Sequence, residues 1–337
     1  MEILEVNKIS NVSCIVATDE HLAFIQDNVL CYKGFELHLT GRDICPVVAG
    51  KQLYLQIDGD LLRVSDTGNL EVEHKAIKNA KSTGYWVINE NSFLRECIFE
   101  TSESISLFVH KQDVWENEPS PLNRTSFLNE EVIVHFNDRA LEVRALINYE
   151  IIYQFNTLQG YKVTNFVNMV DDIFVFIQTK RLPAPHFVET VITAVNLNSG
   201  EQLWQLSQCG VDYSSYYHQA NDGLLYALIS FKVKEDTGLA LHTLNPVNGE
   251  HSKAIIVQEP SSVQSWNATI NDEYFYASNS KNGCSVKMVN LNNKTMECEC
   301  KLGLPSGVQI SQPLVIGNKV YVLDSIKQLH ELEVVSP

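Results

Sequence analysis

The sequence contains no run of roughly 20 apolar residues, the length a helix needs to cross a bilayer. The opening residues MEILEVNKIS carry an acidic residue at position 2 and no long apolar core, so they do not read as a secretory signal. Cys14 follows no hydrophobic stretch that would suit a lipoprotein anchor. The expectation is a cytoplasmic protein with no membrane partner. Basic residues are scarce: 25 Lys and Arg stand against 41 Asp and Glu, a formal net charge of −16. Nucleic-acid binding through phosphates needs a basic face, so it is excluded, and the charge would steer a basic partner. No CxxC pair occurs among the 8 cysteines, which removes zinc-ribbon and thioredoxin-type sites. Cys298 and Cys300 share one face of a strand, with Cys284 on a candidate neighbour, but no fourth ligand for tetrahedral zinc is evident. The cysteines read as small core residues. GxSxG, P-loop, HExxH, EF-hand and dinucleotide fingerprints are all missing. No cofactor and no catalytic residue is therefore expected.

Helical periodicity is nearly absent too; the best helix candidate is residues 73–83, EHKAIKNAKST. The dominant signal is alternation. LAFIQ, QLYLQI, EVIVHF, DIFVFIQ, LLYALISF, EYFYAS and KVYVL are short, aromatic and β-branched. His110 and His135 sit inside such runs and read as partly buried strand residues. Tight polar turns precede the strong strands at 18–20, 49–51, 89–91, 129–131, 170–172, 221–223, 271–273 and 316–318. Asn, Asp and Gly in them favour local hydrogen bonding and positive φ. A unit of about 40–45 residues carrying four strands is the signature of a β-propeller blade. The expected fold is an all-β, single β-propeller domain over residues 1–337. Eight blades are expected, with seven plus an irregular segment as the alternative. The last unit, VQISQPLVI, KVYVL and LHELEVV, supplies only three strands, so EILEV near the start is expected to complete it and cover its edge.

AVNLNSGEQLW, residues 194–204, places a third strand, a turn and an outer fourth strand in sequence, with Trp204 filling the space between blades. With Ala194, Asn196, Ser199, Gly200 and Trp204 it resembles the repeat of the quinoprotein (PQQ-like) β-propellers, whose outer-strand motif is Ala-x-Asp, then Thr-Gly, then Trp. TLNPVNGEHSK keeps Asn245 and Gly249 but has Thr243 and Lys253 at the Ala and Trp places. MVNLNNKTMEC keeps Asn290 but has Lys294 and Cys298 for Gly and Trp. The resemblance implies the architecture. It does not imply quinone chemistry, since the family's adjacent cysteines and calcium ligands have no counterpart here.

Function in propellers concentrates in loops. Connections between strands two and three, and between blades, share one face. The long ones are read at 111–125, 178–189, 207–219 and 232–238. They carry aromatic and charged residues of the kinds found at binding hot spots, and YSSYY has the Tyr/Ser mix of adaptable binding loops. The candidate partner-binding residues are Trp115, Glu116, Glu118, Arg181, His186, Phe187, Asp212, Tyr213, Tyr216 and Tyr217. The competing reading has these aromatics packing their own loops. The expectation is a non-enzymatic protein that presents this face to a basic protein, as an inhibitor or immunity protein covering a toxin or as a scaffold subunit. An enzyme or glycan binder using the central funnel is the alternative.

Overall fold

The computed structural model describes residues 1–49, 51–75, 80–89, 92–99, 104–110, 113–116, 125–128, 132–136, 140–145, 150–182, 188–207, 216–233, 236–258, 263, 267–280 and 283–335. No helix occurs among them. The segment expected to be helical is strand at Glu73 and again from Ala80. Its Lys and Ala content suits a helix, but no apolar stripe at helical spacing holds one against the neighbouring strands.

The strands pair as antiparallel meanders, and among the described residues they form eight four-stranded sheets. Strand β1 is Glu2–Ser10. The first sheet holds β2–β5 (Val12–Ala17, Leu22–Gln26, Val29–Tyr32, Phe35–His38), the second β6–β9 (Ile44–Ala49, Gln52–Ile57, Asp60–Val64, Leu70–His74). The third holds β10–β13 (Ala80–Asn89, Ser92–Phe99, Ser104–His110, Asp113–Glu116), the fourth β14–β17 (Thr125–Leu128, Val132–Phe136, Ala140–Ala145, Ile151–Asn156). The fifth holds β18–β21 (Lys162–Val170, Ile173–Arg181, Val188–Asn196, Gln202–Ser207), the sixth β22–β25 (His218–Gln219, Leu225–Val233, Asp236–Leu244, His251–Val257). The seventh holds β26–β29 (Ala268–Asn271, Tyr274–Asn279, Ser285–Asn290, Thr295–Lys301). The last runs β30 (Leu314–Ile316), β31 (Lys319–Leu323), β32 (Gln328–Val335), then β1. All eight sequence turns fall between the first and second strands of a sheet. VQISQPLVI, read as one strand, is irregular until Leu314. Pro313 has no N–H to give a ladder, and before Leu314 the stretch makes only the isolated bridge of Ile310 with Asp324.

Strand alternation puts apolar side chains on both faces of the middle strands, and these faces meet between consecutive sheets. Val134, Leu141 and Val143 of the fourth sheet pack with Phe174, Phe176 and Val195 of the fifth. Val175, Ile177, Ile192 and Ala194 pack on the other side with Leu225, Ala227 and Leu244 of the sixth. Cys284 and Cys300 are buried in the seam of the seventh and last sheets, with Cys298 packed against it. Burial raises all three thiols, as expected for packing residues. Inner strands lie side by side from β2 to β6 and β6 to β10, and β30 reaches back to β2.

The turn residues explain the repeat locally. Asn196 Oδ1 accepts the N–H groups of Asn198 and Ser199, and Asn290 Oδ1 those of Asn292 and Asn293. Asn245 Oδ1 accepts Val247 N–H in the same way. Each Asn fixes the turn that leads into the outer strand. The ring of Trp204 on β21 then lies over Gly249 in the next sheet's turn, and its Nε1 donates to Pro246 O at 2.7 Å. The same docking recurs with Tyr153 of β17 over Gly200 and Phe35 of β5 over Gly68.

Buried histidines give the fold an acid limit. His242 is 1% exposed, with Nδ1 3.1 Å from His251 Nε2. Burial, with His251 and Lys253 adding, pushes it down to about 4, and burial also lowers His251. His135 is pushed down to about 4 by burial, with Arg144 adding. Above about pH 6.5 native and unfolded chains bind these protons equally. Between about 6.5 and 4 the unfolded chain takes up protons that the native state refuses, so stability falls with pH over that window. The loss is roughly 3 kcal/mol for each of His135 and His242 at its lower end. Urea unfolding across this range should show the fall, and His242→Phe should flatten it; a slope unchanged in that variant would assign the effect elsewhere.

Candidate functional site

In each meander the 1–2 and 3–4 connections emerge at one end of the sheet. The 2–3 connection and the run to the next sheet emerge at the other. These are the turn end and the loop end. Of the long segments read from the sequence, residues 111–112, 117–124, 183–187, 208–215 and 234–235 lie outside the described residues, and two of the segments contain strand. Asp113–Glu116 is β13, so Trp115 pairs with Phe108 and Glu116 with Leu107 as an outer strand. Its short polar sequence reads as loop in isolation. The segment 232–238 is likewise mostly ladder, with Lys232 opposite Thr237 and Val233 opposite Asp236. Backbone pairing thus continues through charged sequence that reads as loop.

Tyr217 also requires correction. It is 4% exposed and packs with Leu225, Ala227, Ile177 and Ile192. The run from β21 to β22 turns inward at this residue because the inner strand β22 begins at once, so Tyr217 is a core residue and not a partner contact. Its neighbour Tyr216 is 40% exposed. Arg181 is exposed at the last position of β19, opposite Val188. Glu118, His186, Phe187, Asp212 and Tyr213 lie outside the described residues.

Around Arg181 the loop end of the fifth sheet gathers residues that the sequence reading passed over. β18 begins at Lys162, opposite Thr179, and β20 places Glu189 opposite Lys180. Lys180 Nζ sits 5.6 Å from the ring centroid of Tyr161. Its methylenes pass close to Gly160, whose φ of 82° lies in the left-handed region that favours glycine. The Tyr161 hydroxyl is raised by burial and by a hydrogen bond to Glu189. Leu182 follows, 38% exposed. Nothing in the QTKRL string announces this cluster; it needs the 4-to-5 connection at Thr157–Tyr161, held by Leu158 N–H donating to Gln178 Oε1 at 2.9 Å.

Charge is divided between the two ends. At the turn end of the fifth to seventh sheets Asp171, Asp172, Glu201, Asp222, Glu250 and Asp272 are exposed, and Lys294 is the one cation on those described turns. The loop end of the fifth sheet holds Lys162, Lys180 and Arg181 against Glu189. The net charge of −16 therefore does not represent the described residues at the loop end of the fifth sheet. No group of three or more His, Cys, Asp or Glu side chains able to hold a metal occurs among the described residues.

Antiparallel four-stranded sheets packed face to face define the class, an all-β protein with the fold of β-propellers. The WD40 domain of SCAP from fission yeast superposes with a TM-score of 0.58 at 10% identity, over 99% of this chain and 94% of that one. BamB from Moraxella catarrhalis gives 0.55 at 10% identity, over 98% and 100%. A catalytically inactive virginiamycin B lyase from Staphylococcus aureus with quinupristin gives 0.52 at 12% identity, over 89% and 98%. At these identities the likeness is one of fold. No protein-family model and no curated protein matches the sequence.

Proposed function

We propose that the chain is a non-enzymatic, protein-binding β-propeller of one domain. In this reading its eight sheets are eight blades, closed into a ring by β1 on β32, and its loop end takes the partner. The observation that carries the binding role is the exposed pair Arg181 and Leu182 at the loop end of the fifth sheet, next to the Lys180–Tyr161 pair, residues of the kind that anchor interfaces. WD40- and BamB-type propellers commonly mediate protein interactions, which supports it. The long-range attraction of a −16 protein for basic molecules favours a basic partner. The toxin-inhibitor and scaffold versions, and a cytoplasmic setting, rest on that attraction and on the sequence alone. A propeller can also be a lyase, as one structural neighbour is by name, so the competing reading is a small ligand in the central funnel.

Arg181→Ala with Tyr216→Ala should weaken capture of the native partner at least tenfold, about 1.4 kcal/mol, at an unchanged melting temperature. Tyr217→Ala should do the reverse, costing about 3 kcal/mol of stability as a buried aromatic. Pull-down from the native host with each variant, beside thermal melts, separates the two. Full capture by the double variant would remove the loop end from the interface.

A further inference from the structure

We propose that the loop end of the fifth blade receives an acidic segment of the partner, with Lys180 and Arg181 meeting its carboxylates. This rests on the protein-binding reading above and sets the chemistry of the contact. Net charge alone points the other way, but contact is decided locally. Arg181 is exposed and makes no hydrogen bond or ion pair with any described residue. Its planar donors are therefore available to a carboxylate in the two-pronged geometry that guanidinium favours. Lys180 is held on the Tyr161 ring, which fixes where its ammonium stands. Among the described residues at this end of the fifth sheet the one carboxylate, Glu189, is engaged by the Tyr161 hydroxyl. Leu182 and Tyr216 offer exposed apolar area at the same sheet end, so the segment also needs an apolar or aromatic residue among its acids. The carboxylates of the turn end would repel such a segment, which gives the docking one orientation.

The test uses two short fluorescein-labelled peptides, one rich in Glu and Asp around a Trp and one with Lys at every acidic position. Anisotropy titrations at low salt would be run on the wild-type chain, on Lys180→Glu with Arg181→Glu, and on Asp171→Lys with Asp172→Lys. All three would first be checked for the same far-ultraviolet dichroism. The acidic peptide should bind the wild type, lose about tenfold or more in affinity to the first variant, and bind the second unchanged. No binding of the acidic peptide, or equal binding to the first variant, overturns the proposal. Binding of the lysine peptide to the wild type that tightens in the first variant would keep the loop end as the interface and overturn the sign proposed here. Its loss only in the second variant would move the interface to the turn end and overturn the binding reading as well.

Discussion

Trp204→Ala is expected to remove about 3 kcal/mol of folding free energy, among the largest effects of any single substitution outside the deepest core. The indole covers Gly249 and donates to Pro246 O at 2.7 Å, and it closes the apolar seam around Ala194 and Leu244. Truncation opens a cavity there and leaves the carbonyl without its donor; large aromatic truncations cost roughly 3–5 kcal/mol, and the partial exposure of this ring places it low in that range. Gly249→Ala attacks the same contact from the other side. Its φ of 75° lies in the left-handed region, and a Cβ would stand 2.7 Å from Trp204 Cδ2. A cost of about 2–3 kcal/mol follows from the backbone strain and the displaced ring. The two losses should not add, because removing the indole relieves the clash. Urea unfolding of both single variants and the double provides the cycle. Strict additivity would mean that ring and glycine do not share one contact.

Loss of His330 should be comparably severe. The side chain is fully buried between β1 and the hairpin before β32, with Nδ1 2.6 Å from Glu5 Oε1 and Nε2 3.0 Å from Asp324 Oδ2. Asp324 Oδ1 meanwhile accepts the N–H groups of Ile326 and Gln328. His330→Ala opens a cavity and takes from the buried Asp324 side chain its partner at 3.0 Å, while Glu5 keeps Lys8 at 3.3 Å; a buried polar group left unpaired costs about 1–3 kcal/mol, to which the cavity adds. Because Glu5 belongs to β1, the damage should appear first as release of that strand. Limited proteolysis should cut the variant near residues 1–11 at concentrations that spare the wild type. Asn7→Ala, on the same strand but reaching Glu331 only at 3.4 Å, should change stability by less than about 0.5 kcal/mol. Equal behaviour of the two variants would show that strand pairing alone retains β1.

How far these contacts could be read in advance differs by type. The eight turns were legible because Asn, Asp and Gly act locally, through their own hydrogen bonds and φ angles. The joining of β1 to the last sheet was legible because the last unit was one strand short. Trp204 stood out because its turn kept Asn196 and Gly200, whereas Tyr153 and Phe35 do the same work without the flanking residues that would announce it. Trp115 was read as loop although it lies in β13, and Tyr217 as accessible although it is buried, for one reason. Polar or aromatic residues next to a gap in the alternation look like loop, while the pairing of β13 and the inward turn at β22 depend on neighbouring strands.

The sequence by itself determined the all-β class, the repeat length and the turn positions, since alternation and turn chemistry involve residues close along the chain. The sign of the net charge was determined there as well. Only the tertiary structure decided how that charge is divided. The carboxylates of the turns collect at one end because those turns all project there, while Lys180, Arg181 and Tyr161 meet at the other from two separate stretches of chain. Which side chains share a surface is fixed by how strands lie beside each other, and no spacing along the chain encodes it.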